Sequence, residues 1–283
     1  MKQRIKGVLK QWIKRVVLTP FRPGSADGGR TYYSKHLGRS IAVSPGVFRP
    51  HEAEKFVLPF MKANPGFFKD KTVLEIGTGS GIISLYAAHL GAKRVVTTDI
   101  LSAALAGVEL NRDRSNPAAI ETRQVPASDI SAYSVVRSDE KFDTIISNPP
   151  YTLDLDAAEN SFSIDTGGLG PSILQGLRDH LNDGGVAALL YRSLFYQQFM
   201  VKYARHLKLQ VEFDEADYLT SWEFEILANN YLTRVAPRFG ISPEEMRFDS
   251  HKDWHKLDIL AVKRGRNRAR REFPGMIVLT VPT

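Results

Sequence analysis

Two short stretches hold residues whose types and spacing could do chemistry. In FDTIISNPPYTLDL (142–155) an apolar strand runs into Asn148, Pro149, Pro150 and Tyr151. Neither proline has an N–H to donate, so sheet pairing must stop there. The residue before each proline is also pushed toward extended geometry. The strand end becomes a stiff loop, and such loops are where α/β proteins place reactive groups. In VLEIGTGSGIISLYAAHLGAKRVVTTDI (73–100) a strand carrying Glu75 leads into Gly77, Gly79 and Gly81, which open a helix. Glycines there let a backbone approach a ligand closely. Asp99 follows Gly81 by eighteen residues, at the end of the next strand. A carboxylate in that place can accept both hydroxyls of a ribose.

The spacing excludes two common nucleotide sites. The dinucleotide pattern G-x-G-x-x-G would need glycine where Ile82 stands. No Lys follows the loop as in a phosphate-binding loop. The chain has no Cys, which removes disulfides and thiolate zinc sites. His251 and His255 are four apart, but no HExxH surrounds them and no third ligand is evident, so they read as surface histidines. Neither a metal nor a covalent nucleophile is expected.

The chain of 283 residues carries a net charge of +7, unevenly spread. Residues 1–30 hold eight Lys and Arg against Asp27, and residues 251–283 hold eight against Asp253, Asp258 and Glu272. The body between is mildly acidic. Basic ends point to an anionic partner such as RNA, a ribosomal surface or anionic lipid, or to a solvated basic face. No stretch is apolar for long enough to span a bilayer, and no secretory signal stands at the N-terminus, which suits a cytoplasmic protein.

The elements that must position these residues follow from periodicity. Residues 2–18 form an apolar stripe, from Ile5 to Val17, on an otherwise basic helix. Such a helix packs on its own domain or lies on a membrane surface, and packing is the favoured reading. A Pro- and Gly-rich linker (20–29) and two short strands with a glycine turn (32–50) follow. Residues 51–63 read as a helix kinked at Pro59. Then strands at 72–76, 94–99, 120–125, 142–147 and 185–191 alternate with helices at 81–90, 101–112, 172–182 and 194–206. That alternation predicts a parallel sheet covered on both faces. The best late strands are 209–213 and 257–264. The loop 165–171 could close over a substrate or simply precede a helix. Residues 1–50 read as an extension and 51–283 as the catalytic domain, with 214–256 as a candidate substrate-recognition insert. Its Trp222, Phe224 and Tyr231 would suit that role or a core.

The acidic residue two before the first glycine, with G-x-G-x-G, resembles motif I of the class I S-adenosylmethionine methyltransferases. Asn148-Pro149-Pro150-Tyr151 resembles motif IV of the amino-methyltransferases, about seventy residues later in the chain. With PGVFRP (45–50), the two resemble the small-domain methyltransferases, which include release-factor glutamine and ribosomal-RNA guanine methyltransferases. The resemblance covers roughly residues 40–213. It implies a Rossmann-like sheet of seven strands, mostly parallel with one antiparallel, and S-adenosyl-L-methionine as cofactor. It implies a cofactor site of Glu75, Gly77, Thr78, Gly79, Gly81, Asp99, Ile100, Asp129 and Asn148. Within it, Asp99 matches the ribose acid and Asp129 the position that meets adenine. Phe48, Arg49 and Pro50 match the mouth that lines cofactor or substrate. The chain departs from the glutamine enzymes where they carry R-P-E-T-E, since it has Arg49-Pro50-His51-Glu52-Ala53-Glu54. It also lacks the helical domain with which they grip their protein substrate.

The chemistry explains the residue types. An amide or exocyclic nucleobase nitrogen has its lone pair delocalised and attacks a methyl group poorly. Acceptors that hold its N–H bonds out of conjugation free that pair. The Asn148 side-chain oxygen and the Pro149 carbonyl can do this, since the prolines release both from the ladder. Tyr151 offers a flat face for stacking a planar group. Alignment and desolvation then do most of the catalysis. Three acceptors stay open: a glutamine amide in a translation protein, which is the first choice, an exocyclic amine in rRNA or tRNA, or a small molecule.

Overall fold

The structure is a computed structural model that describes residues 30–113, 119–129, 131–150, 152–153, 164–165, 168–191, 194–213, 222–247 and 275–282. The basic helix 2–18, Tyr151, the histidines 251 and 255, the strand expected at 257–264 and the run RGRNRARR (264–271) lie outside the described residues.

In chain order, β1 (Arg30–Ser34) and β2 (Arg39–Val43) form a hairpin. A π-helical segment, Ala53–Val57, runs into α1 (Leu58–Ala63). Then come β3 (Thr72–Ile76), α2 (Ile82–His89), β4 (Arg94–Asp99), α3 (Ser102–Asn111), β5 (Ala119–Gln124) and β6 (Phe142–Ser147). Two-residue strands β7 (Thr152–Leu153) and β8 (Ile164–Asp165) pair with each other. They are followed by α4 (Leu169–Gln175), α5 (Leu177–His180), β9 (Leu181–Tyr191), α6 (Leu194–His206) and β10 (Gln210–Phe213). The last elements are α7 (Trp222–Val235), α8 (Pro243–Met246) and β11 (Gly275–Thr280).

Seven strands form one sheet in the order β10-β11-β9-β6-β3-β4-β5. β11 is antiparallel to β10 and β9, and the other pairs are parallel. The chain winds outward from β3 to β5, then returns past β3 to β6. This reversal opens a crevice at the carboxyl ends of β3 and β6, where open α/β sheets bind ligands.

The strands read as continuous apolar runs because both faces are covered. Leu74, Ile76, Phe142 and Ile145 pack with Ile173, Leu177, Phe199, Tyr203 and Leu232 on one side. Val73, Val95 and Ile146 pack with Ile41, Leu58, Met61 and Leu85 on the other. The hairpin is therefore part of the second core. Glu54 fastens it: its carboxylate accepts from Ser34 Oγ (2.8 Å), Lys35 N (2.7 Å) and His36 Nδ1 (3.0 Å).

Three local features differ from the expectations or add to them. Residues 51–63, expected as one helix, are a π-helical segment followed by α1, and Pro59 stands in the first turn of α1. Its missing N–H is absorbed by the π-helical turn before it, where Leu58 N donates to Ala53 O. The helix expected at 172–182 is two short helices, and β9 begins at Leu181. The break falls at Gly176, where the Tyr133 ring lies against the backbone. A Cβ there would sit 2.3 Å from Tyr133 Cε2. The same ring stacks on His180 at 4.5 Å, and its hydroxyl donates to Ile173 O at 2.9 Å. Finally, β11 is built from GMIVLT, an apolar run that sequence reasoning passed over.

Gly176→Ala forces that ring to move and should destabilise the fold by about 1–3 kcal/mol, seen as a lower urea midpoint at unchanged slope. An unchanged midpoint would show that Tyr133 is free to shift.

Candidate active site

Three adjacent strands end at one level. Ile76 of β3 pairs with Thr98 of β4 and with Ser147 of β6. Gly77, Asp99 and Asn148 are thus the first residues beyond a common row. Side chain and backbone lock that row: Ser147 Oγ donates to Ile76 O at 2.7 Å. Gly77 N and Thr78 N both donate to Thr98 O, at 2.9 and 3.0 Å.

The glycine turn has φ of 74°, 52° and 79° at Gly77, Gly79 and Gly81. These left-handed values favour glycine, but the three do different work. A Cβ on Gly81 would lie 2.7 Å from Val108 Cγ2, so Gly81 lets α2 close onto α3. A Cβ on Gly77 or Gly79 would meet nothing within 4 Å. Their outer side is an open cradle.

Asp99 caps the turn. Its Oδ2 accepts from Gly79 N at 2.8 Å and its Oδ1 from Leu101 N at 2.9 Å. Each oxygen keeps a lone pair for a further donor. Burial pushes its carboxyl upward against these backbone bonds. Ile100, next in the chain, is 46% exposed, an apolar surface beside the acid. Val125 N donates to Asp99 O at 2.9 Å, which starts the following loop at the same edge. In that loop Asp129 is half-buried, and its Oδ1 accepts from Ser131 N at 2.9 Å.

Glu75 is the buried tie. Its Oε2 accepts from Thr78 Oγ1 (2.7 Å), Thr97 Oγ1 (3.1 Å), Ser84 N (3.1 Å) and Ser84 Oγ. It thereby joins β3, the glycine turn, α2 and β4. Burial dominates those bonds and pushes its pKa up to about 7. Thr97 and Ser84 were not singled out from sequence. Their signal is a polar residue at an inward place of an apolar element, in VVTTD and in IISLYAAH.

Among the described residues, three buried side-chain atoms make no hydrogen bond: Glu75 Oε1, Asn148 Oδ1 and Arg49 Nη2. All three belong to residues singled out above. Pro149 is buried after Asn148, while Pro150 is half-buried. Phe48 and Arg49 are half-buried and Pro50 is buried, in the loop that leaves β2. Among the described residues no group of three His, Cys, Asp or Glu could hold a metal ion. The donor set fits S-adenosylmethionine: a free acidic oxygen for its ammonium, a glycine cradle for its chain, a carboxylate for its ribose and an apolar face for its adenine.

The fold and this crevice define a class I methyltransferase architecture. Residues 39–214 match the family model described as the methyltransferase small domain, and the chain belongs to that family. A protein of Methanocaldococcus jannaschii, whose name assigns it provisionally to the protein N5-glutamine methyltransferases, is 29% identical over 204 residues. That match covers 65% of this chain and 96% of the other. The release factor glutamine methyltransferase of Koribacter versatilis is 33% identical over 129 residues, covering 45% of this chain and 44% of that one. This chain thus spans nearly the whole archaeal relative and less than half of the bacterial one. Among solved structures, Trm5b of Pyrococcus abyssi has a TM-score of 0.50 at 14% identity, covering 90% of this chain and 56% of that one, a likeness of fold alone. Family and relatives make this chain an S-adenosylmethionine-dependent methyltransferase.

Glu75 also sets a pH dependence. A carboxyl whose folded pKa is raised from 4.5 to about 7 favours the fold fully below the lower value. That contribution is lost as pH rises through the upper one. Between pH 5 and 8 the ligand-free protein should lose on the order of 2–3 kcal/mol relative to Glu75→Gln. Parallel denaturation of the two proteins measures this, and a constant difference across that range would contradict it.

Proposed function

We propose that the protein transfers a methyl group from S-adenosylmethionine to a planar nitrogen, and that the acceptor is a glutamine side-chain amide in a protein of the translation machinery. The observation that carries the proposal is Asn148 Oδ1, a buried acceptor without a partner among the described residues, on the residue one step beyond the row of Ile76, Thr98 and Ser147. Leaving such an atom unbonded costs about 1–3 kcal/mol, which an incoming N–H donor recovers.

The cofactor supplies an electrophilic methyl group when bound. Glu75, Gly77, Thr78, Gly79 and Gly81 hold its amino-acid part, Asp99 its ribose, and Ile100 with Asp129 its adenine. Asn148 Oδ1 and the Pro149 carbonyl take the two N–H bonds of the amide and leave its lone pair free to attack. Pro150 keeps the loop stiff, and Tyr151 is assigned the stacking face. Phe48, Arg49 and Pro50 line the mouth. The nitrogen loses its proton after attack, so no strong base is required.

A glutamine amide presents two N–H bonds on one nitrogen, as an exocyclic nucleobase amine also does, so the two acceptors suit either and the choice of glutamine rests on the relatives. The relative matched over nearly its whole length also carries that activity in its name. The net charge of +7, concentrated at the two ends, favours contact with an anionic partner and so supports the alternative acceptor, an exocyclic amine in RNA.

Asn148→Ala should lower methyl transfer by about 100-fold or more while changing S-adenosylhomocysteine affinity less than about threefold. The assay uses methyl-labelled cofactor and extract from cells lacking the protein, with label sorted by protease and ribonuclease. Label released by protease and absent with Asn148→Ala is expected. Label released by ribonuclease would replace glutamine with a nucleobase amine, and equal loss of binding and transfer would contradict the division of roles.

A further inference from the structure

Glu75 is a buried carboxyl that the protein serves on one side only. Its Oε2 accepts from Thr78 Oγ1, Thr97 Oγ1, Ser84 N and Ser84 Oγ. Its Oε1 is also buried and, among the described residues, has no partner.

No cation bonds to this group among the described residues. Its partners from the glycine turn, α2 and β4 are hydroxyls and one backbone N–H, all uncharged. Across the sheet it stands level with Thr97 of β4 and Ile146 of β6. The ionisable group bonded to the same turn is Asp99, whose Oδ2 accepts from Gly79 N, and that is a second acid. An ionised Glu75 therefore leaves negative charge unpaired in the interior, which is costly. A proton on Oε1 removes the charge and keeps the four bonds on Oε2. Burial acts in the same direction and pushes its pKa up to about 7.

Thr78, bonded to the other oxygen, stands between Gly77 and Gly79, whose outer sides are open. A ligand that sets an ammonium at this turn meets a carboxyl that already carries a proton. The two are incompatible, because an ammonium needs an acceptor and a protonated Oε1 offers a donor. We infer that the cofactor's α-ammonium displaces the proton of Glu75, so that cofactor binding releases this proton to solvent. The O–H bond of the carboxyl breaks, the proton leaves, and the ammonium pairs with the carboxylate that remains. This rests on the assignment of the glycine turn to the cofactor's amino-acid part. It makes cofactor affinity fall as pH drops through the range in which the free carboxyl takes up its proton.

Binding heats in buffers of different ionisation enthalpy count the proton. The ligands are S-adenosylhomocysteine and methylthioadenosine, which keeps the nucleoside and the sulfur but has no ammonium. The first should release about 0.9 proton at pH 6 and about 0.1 at pH 8, and bind about tenfold more weakly at pH 6. The second should release none and bind equally at both, and because it carries the same ribose it controls for Asp99. Glu75→Gln should bind S-adenosylhomocysteine with neither proton release nor pH dependence. Equal release by the two ligands overturns the proposal without any variant, and so does release that survives in Glu75→Gln. Binding of both ligands with no proton released removes the linkage alone, whereas failure of both to bind removes the cofactor assignment as well.

Discussion

The site depends on one row of hydrogen bonds. Ile76 is held level with Thr98 on one side and Ser147 on the other, and the Ser147 hydroxyl closes onto the Ile76 carbonyl. A slip of one residue in either pair would turn every side chain to the opposite face. It would also separate the three functions that begin just beyond the row. The glycine turn, Asp99 and Asn148, to which we assign the cofactor's amino-acid part, its ribose and the acceptor nitrogen, begin at positions 77, 99 and 148 of the sequence. Only the parallel register of β4, β3 and β6 places them side by side.

Burial makes that row asymmetric in charge. Glu75 sits inside the sheet with four donors on one oxygen and none on the other. Its bonds to Thr78 and Ser84 stiffen the turn, while its free oxygen leaves a demand for positive charge. Asn148 leaves a demand for a donor and Arg49 for an anion. Buried polar groups are usually paired, and all three orphaned side-chain atoms belong to residues singled out by the sequence motifs, where a ligand or ordered water would complete them. The unmet demands outline the ligand.

Much of this was legible in the sequence because backbone constraints are local. Gly77, Gly79 and Gly81 stand out for their spacing, and all three adopt the left-handed conformation. The two prolines after Asn148 mark the strand end whatever the rest of the chain does. The order of β3, α2, β4, α3 and β6 follows from alternating apolar runs. Partnerships made across the sheet were not legible. Nothing near Glu75 in sequence announces Thr97, and nothing near Gly176 announces the Tyr133 ring. The π-helical turn before Pro59 was not legible either, because Leu58 N bonding to Ala53 O is one of several ways a helix can accommodate a proline. β11 was not legible because its run MIVLT is short and the longer apolar run at 257–264 competes with it for the same place in the strand order.

The most direct test is a crystal structure of the protein with S-adenosylhomocysteine bound. The account predicts the ribose on Asp99, the sulfur facing the Asn148 side chain across the ends of β3 and β6, and the Asn148 oxygen still without a protein partner. A nucleoside bound away from Asp99, or an Asn148 oxygen turned into a bond with its own chain, would contradict it.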